Sequence, residues 1–294
     1  MKRREMLLGT GAAALGASSF PLCWVAAAGK KTQKLLFFTR NVGFYHSVVQ
    51  RKGGALSHAE RALMEMGKRV GIEVTCTKDG RVFDEKLDAY DAIAFYTNND
   101  LTLPNPQKDP PMSADGKQRL LDAVEGGKGF VAFHSSCASW RTPPQKNGEP
   151  PKLDPYIAML GGEFIAHGPQ QESTMRVAAP GFPGMKGLGE RFKLREEWYA
   201  LKNFAKDLHV ILIQETAGMR GGCYQRPPYP STWARQHGKG RVFFTAMGHR
   251  ENVWVENPFQ QIVLGGLAWA LGNVEVDVTP NIRRVTPQAS KLKP

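Results

Sequence analysis

Between residues 34 and 246 the apolar residues fall into short, unbroken runs, and this restricts the fold more than any other feature. Leu35-Leu36-Phe37-Phe38, Ala92-Ile93-Ala94-Phe95-Tyr96, Gly129-Phe130-Val131-Ala132-Phe133 and Val210-Ile211-Leu212-Ile213 are too short for helices. None alternates with polar residues, as a strand with one wet face would, so each must be buried on both sides. Between them lie segments with helical spacing. Residues 54–70 carry Leu56, Leu63, Met64 and Met66, and residues 114–124 follow a capping Ser113. Residues 258–271 carry Phe259, Ile262, Val263, Leu267 and Trp269. The alternation predicts an α/β fold, with a mostly parallel, flavodoxin-like central sheet and helices on both faces.

The remaining segments are less regular. Residues 71–76 read as a strand, 84–90 as a short helical connection and 156–160 as a helical turn, after which His167 sits on a return loop. Residues 173–178 and 191–194 suit strands of a more exposed sheet. Residues 218–230 form a long Gly- and Pro-rich loop, and 231–235 with 241–246 form a strand pair. No composition break marks a second domain.

The start, Met1-Lys2-Arg3-Arg4-Glu5, precedes an apolar, small-residue run ending in Ala26-Ala27-Ala28, the pattern of a cleaved secretory leader. Adjacent arginines before Met6-Leu7-Leu8 point to twin-arginine export, although Lys2 stands where Ser or Thr is usual. Residues 1–28 are thus expected to be an export signal, 29–33 a linker, 34–273 the folded domain and 274–294 a C-terminal extension. The protein is expected to be periplasmic or otherwise exported. No stable membrane span is expected after cleavage, because Pro21 and scattered glycines and serines interrupt a run that needs about 20 apolar residues. Losing Lys2, Arg3, Arg4 and Glu5 with the leader lowers the formal charge from +12 to +10. The remaining cations are scattered and accompany no recognition motif, so no nucleic-acid partner is expected. Cys76, Cys137 and Cys223 can form at most one bridge, so an ordinary apolar core must carry folding.

Four histidines occupy comparable places. His46 follows the first strand, His134 ends the run 129–133, His167 follows a glycine-flanked apolar stretch, and His249 follows Thr245-Ala246-Met247-Gly248. Parallel strands present their C-terminal loops on one edge, where open α/β sheets bind ligands. Singly, each histidine is as well read as a loop residue. As a group they read as a pocket for a divalent metal or for proton exchange. His58, His209 and His237 are poorer candidates. The carboxylate for such a pocket is best supplied by Arg195-Glu196-Glu197-Trp198-Tyr199, with Glu197 as ligand or base and Tyr199 as hydrogen-bond donor. An exposed acidic turn anchored by Trp198 is the plainer reading of the same residues. Asp100 is a weaker contributor. Ser135 and Cys137 lack the flanking glycines of a nucleophile elbow, and no Gly-x-Gly-x-x-Gly follows the first strand, so no nucleotide cofactor is expected.

From residue 34 to 273 the order of motifs resembles the ThuA-like, trehalose-utilisation family, whose fold is related to class I glutamine amidotransferases. The resemblance rests on Gly43-Phe44-Tyr45-His46, Phe133-His134-Ser135, Gly161-Gly162-Glu163-Phe164-Ile165-Ala166-His167, Glu196-Glu197-Trp198-Tyr199 and Gly238-Lys239-Gly240-Arg241 through His249. The amidotransferases carry a cysteine where this chain has His134, so glutamine hydrolysis is not expected. The family often has Asp-Glu-x-Tyr, so Glu197 and Tyr199 match while Glu196 departs. The resemblance implies carbohydrate chemistry. The expected function is an exported hydrolase or lyase acting on a glycoside or 3-keto-sugar derivative, with catalytic His134, Glu197 and Tyr199. His46, His134, His167 and His249 would hold a divalent metal, zinc first. Trp198 and Tyr199 offer flat surfaces for a sugar face, Trp198 being equally suited to the core. The alternative is a non-catalytic periplasmic carbohydrate-binding or assembly module. In either case the partner is a small carbohydrate derivative, and homo-oligomers are compatible with the sequence.

Overall fold

The computed structural model describes residues 32–85, 87–143 and 152–292; the expected leader lies outside them. In chain order the strands are β1 (Gln33–Phe38), β2 (Ile72–Thr77), β3 (Ala92–Phe95), β4 (Gly129–Phe133), β5 (Glu163–His167), β6 (Gln171–Val177), β7 (Arg191–Glu196), β8 (Tyr199–Lys202), β9 (His209–Gln214), β10 (Tyr229–His237) and β11 (Gly240–Thr245). The helices are α1 (His58–Arg69), α2 (Ala114–Glu125), α3 (Pro155–Leu160), α4 (Asn257–Ala270) and α5 (Ile282–Val285).

Nine strands form one sheet in the order β2-β1-β3-β4-β11-β10-β9-β6-β7. Pairings from β2 to β11 are parallel, and those from β11 to β7 are antiparallel. The expected α/β architecture is therefore present, with the parallel strands in one half of a mixed sheet. β4 is buried along its whole length, as its unbroken apolar run requires. Along β1 the side chains alternate between two cores: Leu35 and Phe37 pack with α1 and α4, Leu36 and Phe38 with α2 and α3.

Local signals set the helix ends. Ser57 and Glu60 form a capping box on α1, and Ser113 Oγ accepts from Gly116 N at the start of α2. Met64, expected in the apolar face of α1, is exposed. In α4, a Cβ on Gly265 would lie 2.0 Å from Pro183 O, and one on Gly266 2.6 Å from the Phe243 ring. The pair lets α4 sit directly on the sheet. Gly265→Ala is expected to cost about 1–3 kcal/mol through overpacking, read as a lower denaturant midpoint at unchanged slope. An unchanged midpoint would mean that α4 can shift freely.

Three segments differ from the sequence expectation. Residues 163–167 form β5, which pairs antiparallel with β8 in a separate two-stranded sheet. β6 and β7 continue the main sheet instead of building another. The C-terminal stretch is anchored to β9: Asn281 Oδ1 accepts from Val210 N at 2.7 Å, and its Nδ2 donates to Val210 O at 3.1 Å. Cys76, Cys137 and Cys223 are free thiols. No helix among the described residues is long and apolar enough to cross a membrane.

Candidate active site

The C-terminal ends of β1, β4 and β11 open on one edge of the sheet and bring three imidazoles together. The rings of His46, His134 and His249 lie 5.1–5.3 Å apart in every pairing. The convergence expected from strand order is thus realised across some 200 residues of chain. His134 takes the turn after β4 with a φ of +40°, a left-handed conformation costing about 1–3 kcal/mol in a non-glycine residue and typical of functional sites.

Hydrogen bonds fix which nitrogen each ring presents. His134 Nδ1–H donates to Ala246 O at 2.8 Å, so its Nε2 lone pair faces inward. Asn41 Nδ2 donates to Tyr96 O, which leaves its Oδ1 to accept from His46 Nδ1, 3.3 Å away. His46 Nε2 then faces the Tyr199 hydroxyl at 3.3 Å. His249 Nδ1 lies 3.3 Å from His134 Nε2, while its Nε2 meets the Gln170 side-chain amide at 3.0 Å.

The acidic turn between β7 and β8 closes this edge, and its two carboxylates go opposite ways. Glu196 is fully buried. Its Oε2 accepts from Gly248 N at 2.7 Å and His249 N at 3.0 Å, and its Oε1 accepts from Glu197 N at 2.9 Å. It therefore holds the His249 loop against the turn that carries Glu197. Sequence reading saw only a conservative departure there; an acidic residue beside an expected catalytic one was the available signal. Glu197 turns inward, with Oε2 3.1 Å from His249 Nδ1 and 3.7 Å from His134 Nε2.

Burial dominates the charge states. It pushes the Glu196 carboxyl up to about 7 against its backbone donors. It drives His46 well below the ordinary imidazole value and lowers His134 too, so both favour the neutral ring with a free lone pair. Burial also opposes charge on Glu197, but its contacts with His134 and His249 outweigh that and hold the carboxyl well below the usual range. Tyr199 is pushed well above the phenol value by burial and stays protonated.

Donor atoms of His46, His134, Glu197 and His249 all lie within 4.8 Å of one another. A tetrahedral cation with ligands at about 2.0–2.1 Å has donors about 3.3 Å apart. The His134–His249–Glu197 triangle, with edges of 3.3, 3.1 and 3.7 Å, approximates one face of such a site. The buried Tyr96 hydroxyl, with no hydrogen-bond partner, lies beside the His46 and His134 rings. The chemistry and spacing of these residues fit a small divalent cation.

His167, expected among the ligands, falls outside this group, and Glu197 occupies the fourth place. The cause is the β5–β8 pairing, which sets His167 opposite Tyr199 at the outer rim. Its side chain is 45 % exposed, with Nδ1 3.4 Å from Glu197 Oε1. Trp198 is wholly buried and donates to Gln171 O, so it belongs to the core and offers no platform for a sugar. Phe44 and Phe164 line the pocket instead, a role the sequence reading did not assign. Cys137 is buried, its thiol pushed well up, and its Sγ donates to His134 O. Asp100 accepts from Thr102 within its own turn and from Trp140 Nε1. His58 lines a larger surface groove of about 470 Å³ beside α1, away from the imidazole group, and His209 bonds Thr279 O. The pocket above the imidazoles measures about 240 Å³ and reaches His46, His167, Glu197 and Tyr199.

Fold and site together define an α/β domain with a nine-stranded mixed sheet and an imidazole–carboxylate pocket at the C-terminal edge of its parallel strands. A family model described as ThuA, trehalose utilisation, matches residues 34–270, and the chain belongs to that family. Among solved structures it is similar to a ThuA-like protein from Bacteroides uniformis ATCC 8492, with TM-score 0.59 and 17 % identity, covering 86 % of this chain and 95 % of that one. A ThuA-like protein from Parabacteroides merdae ATCC 43184 gives TM-score 0.56 and 18 % identity, covering 85 % and 95 %. A β-galactosidase from Bacillus circulans sp. alkalophilus gives TM-score 0.51 and 11 % identity, covering 85 % of this chain and 32 % of that one. These identities establish a shared fold. No curated protein sequence matches the chain.

Proposed function

We propose that this chain is an enzyme that cleaves a glycoside of a keto-sugar by proton abstraction beside the carbonyl. The observation that carries the reading is the convergence of three imidazoles and one carboxylate below a small open pocket, in a member of a family described by trehalose utilisation. His134, His249 and Glu197 would hold a divalent cation, zinc first, with His46 across from them. When bound, such an ion supplies Lewis-acid polarisation of the substrate carbonyl. To hold it, His249 Nδ1 would present its lone pair and not an N–H.

The chain's own residues do the rest. His46, neutral and with Nε2 aimed into the pocket by Asn41, accepts the proton from the carbon next to the carbonyl. The electron pair forms a carbon–carbon double bond, and the glycosidic oxygen leaves from the adjacent carbon with its bonding pair. Tyr199, protonated and within reach of His46 Nε2, returns a proton to that oxygen and is recharged through His46. His167, at the solvent rim beside Glu197, exchanges protons with bulk water. Addition of water across the double bond completes net hydrolysis; release before that step is the lyase outcome. The leader-like start supports a reaction outside the cytoplasm, which N-terminal labelling of the mature protein checks: a chain still beginning at Met1 would count against it.

About one equivalent of divalent metal per chain is expected by elemental analysis after dialysis, dropping at least tenfold in the double variant H134A/H249A. That variant should also fail on 3-keto glycosides. Full turnover by it would remove both residues from the mechanism. Equilibrium binding with no product, by metal-loaded protein, would point to the carbohydrate-binding module instead.

A further inference from the structure

The pocket above the imidazoles has walls that the proposed chemistry does not use. Phe44 lines it and is 70 % exposed, more than any other aromatic side chain among the described residues. The loop holding it is fixed from below: Asn98 Oδ1 accepts from Val42 N and Gly43 N, and Asn98 Nδ2 donates to Phe44 O. A Cβ on Gly43 would lie 2.2 Å from Asn99 Nδ2, so a larger residue there would have to displace the Asn99 side chain. Phe164, from β5, also lines the pocket and packs its ring 4.3 Å from that of Tyr199. A third feature points to a ligand. Ser135 lines the same pocket, and its hydroxyl, buried within the wall, has no hydrogen-bond partner. A buried, unpaired hydroxyl beside solvent-accessible aromatic faces is a costly arrangement unless a ligand supplies the missing hydrogen bond.

Two aromatic side chains and a serine in the wall of one pocket suit a pyranose ring, whose C–H faces are apolar and whose edge carries hydroxyls. Ligand pockets for drug-sized molecules measure about 300–1,000 Å³, and this one, at about 240 Å³, is smaller. From these features we infer that the pocket is an end-recognising subsite for one terminal sugar ring, with Phe44 and Phe164 as its walls and Ser135 Oγ as its hydroxyl contact. The inference rests on the carbohydrate reading of the site but not on its catalytic chemistry. At about 240 Å³ the pocket has room for one ring and not two, so chains would be engaged at their ends only.

Calorimetric titration of the intact, metal-loaded protein tests this with methyl α-glucopyranoside, its 3-keto form and β-cyclodextrin, which has the same rings but no chain end. Binding of at least one terminal glucoside, and none of cyclodextrin, is expected. Phe44→Ala should weaken that binding about tenfold while Phe44→Tyr retains it. Ser135→Ala should weaken it about five- to tenfold with an unchanged or raised thermal midpoint, since it deletes an unpaired hydroxyl. Cyclodextrin binding as tight as the glucoside, or F44A and S135A binding like wild type, would overturn the subsite. So would failure of every glucoside to bind, even if another substrate were turned over. Tight end-binding without turnover would leave the subsite standing and remove the catalytic proposal.

Discussion

Glu197→Gln is expected to lower kcat/KM on keto-glycosides by about 10²- to 10⁴-fold, the range for loss of a positioned acid–base or charge-stabilising group. The substitution keeps the shape of the side chain and changes what it can do. The carboxylate offers acceptors only, and its Oε2 faces His249 Nδ1 at 3.1 Å and His134 Nε2 at 3.7 Å. An amide must either turn an N–H toward a ring nitrogen or give up the negative charge that balances a cation. Metal content should fall with activity. Activity within twofold of wild type, with metal retained, would place Glu197 outside the chemistry.

Glu196→Ala is expected to act in the opposite way, chiefly on stability. Its carboxylate accepts from Gly248 N, His249 N and Glu197 N, and the alanine leaves these buried donors unpaired. The loss is on the order of 3 kcal/mol, since each buried unsatisfied group costs about 1–3 kcal/mol. His249 loses its anchor at the same time, so metal content and activity should fall as well.

The same residue gives the fold a pH signature. In the unfolded chain Glu196 titrates near its ordinary 4.5, and in the folded protein burial raises that to about 7. Between those values the folded state holds a proton that the unfolded state has lost. The contribution of Glu196 is thus fully present below about 4.5, declines as pH rises toward 7 and is flat above. Glu197, shifted the other way, contributes stability above the unfolded value and loses it as pH falls. Denaturant midpoints across pH 4.5–8 should show the decline in wild type and its loss in Glu196→Gln. An identical slope in that variant would assign the decline to another group.

Much of the architecture was legible in residue order. Unbroken apolar runs at residues 34–39, 92–96 and 129–133 became β1, β3 and β4, because a strand covered on both faces has no use for alternation. The capping Ser113 and the mass of α4 were read from local chemistry alone. The convergence of His46, His134 and His249 followed from parallel topology, which puts strand ends on one edge whatever their separation in sequence.

What residue order could not supply is the side to which each neighbour turns. Glu196 and Glu197 are adjacent and chemically alike, yet one is a buried clasp and the other faces the imidazoles. Trp198, which residue order left open between sugar platform and core, enters the core, and Phe44, to which it gave no role, flanks the pocket. His167 was drawn to the rim by a strand pairing that no local propensity announces. Periodicity and composition belong to the chain and decide which segments must be buried. Direction, tautomer and charge state arise only when segments distant in sequence pack together, because burial and hydrogen-bond partners set them.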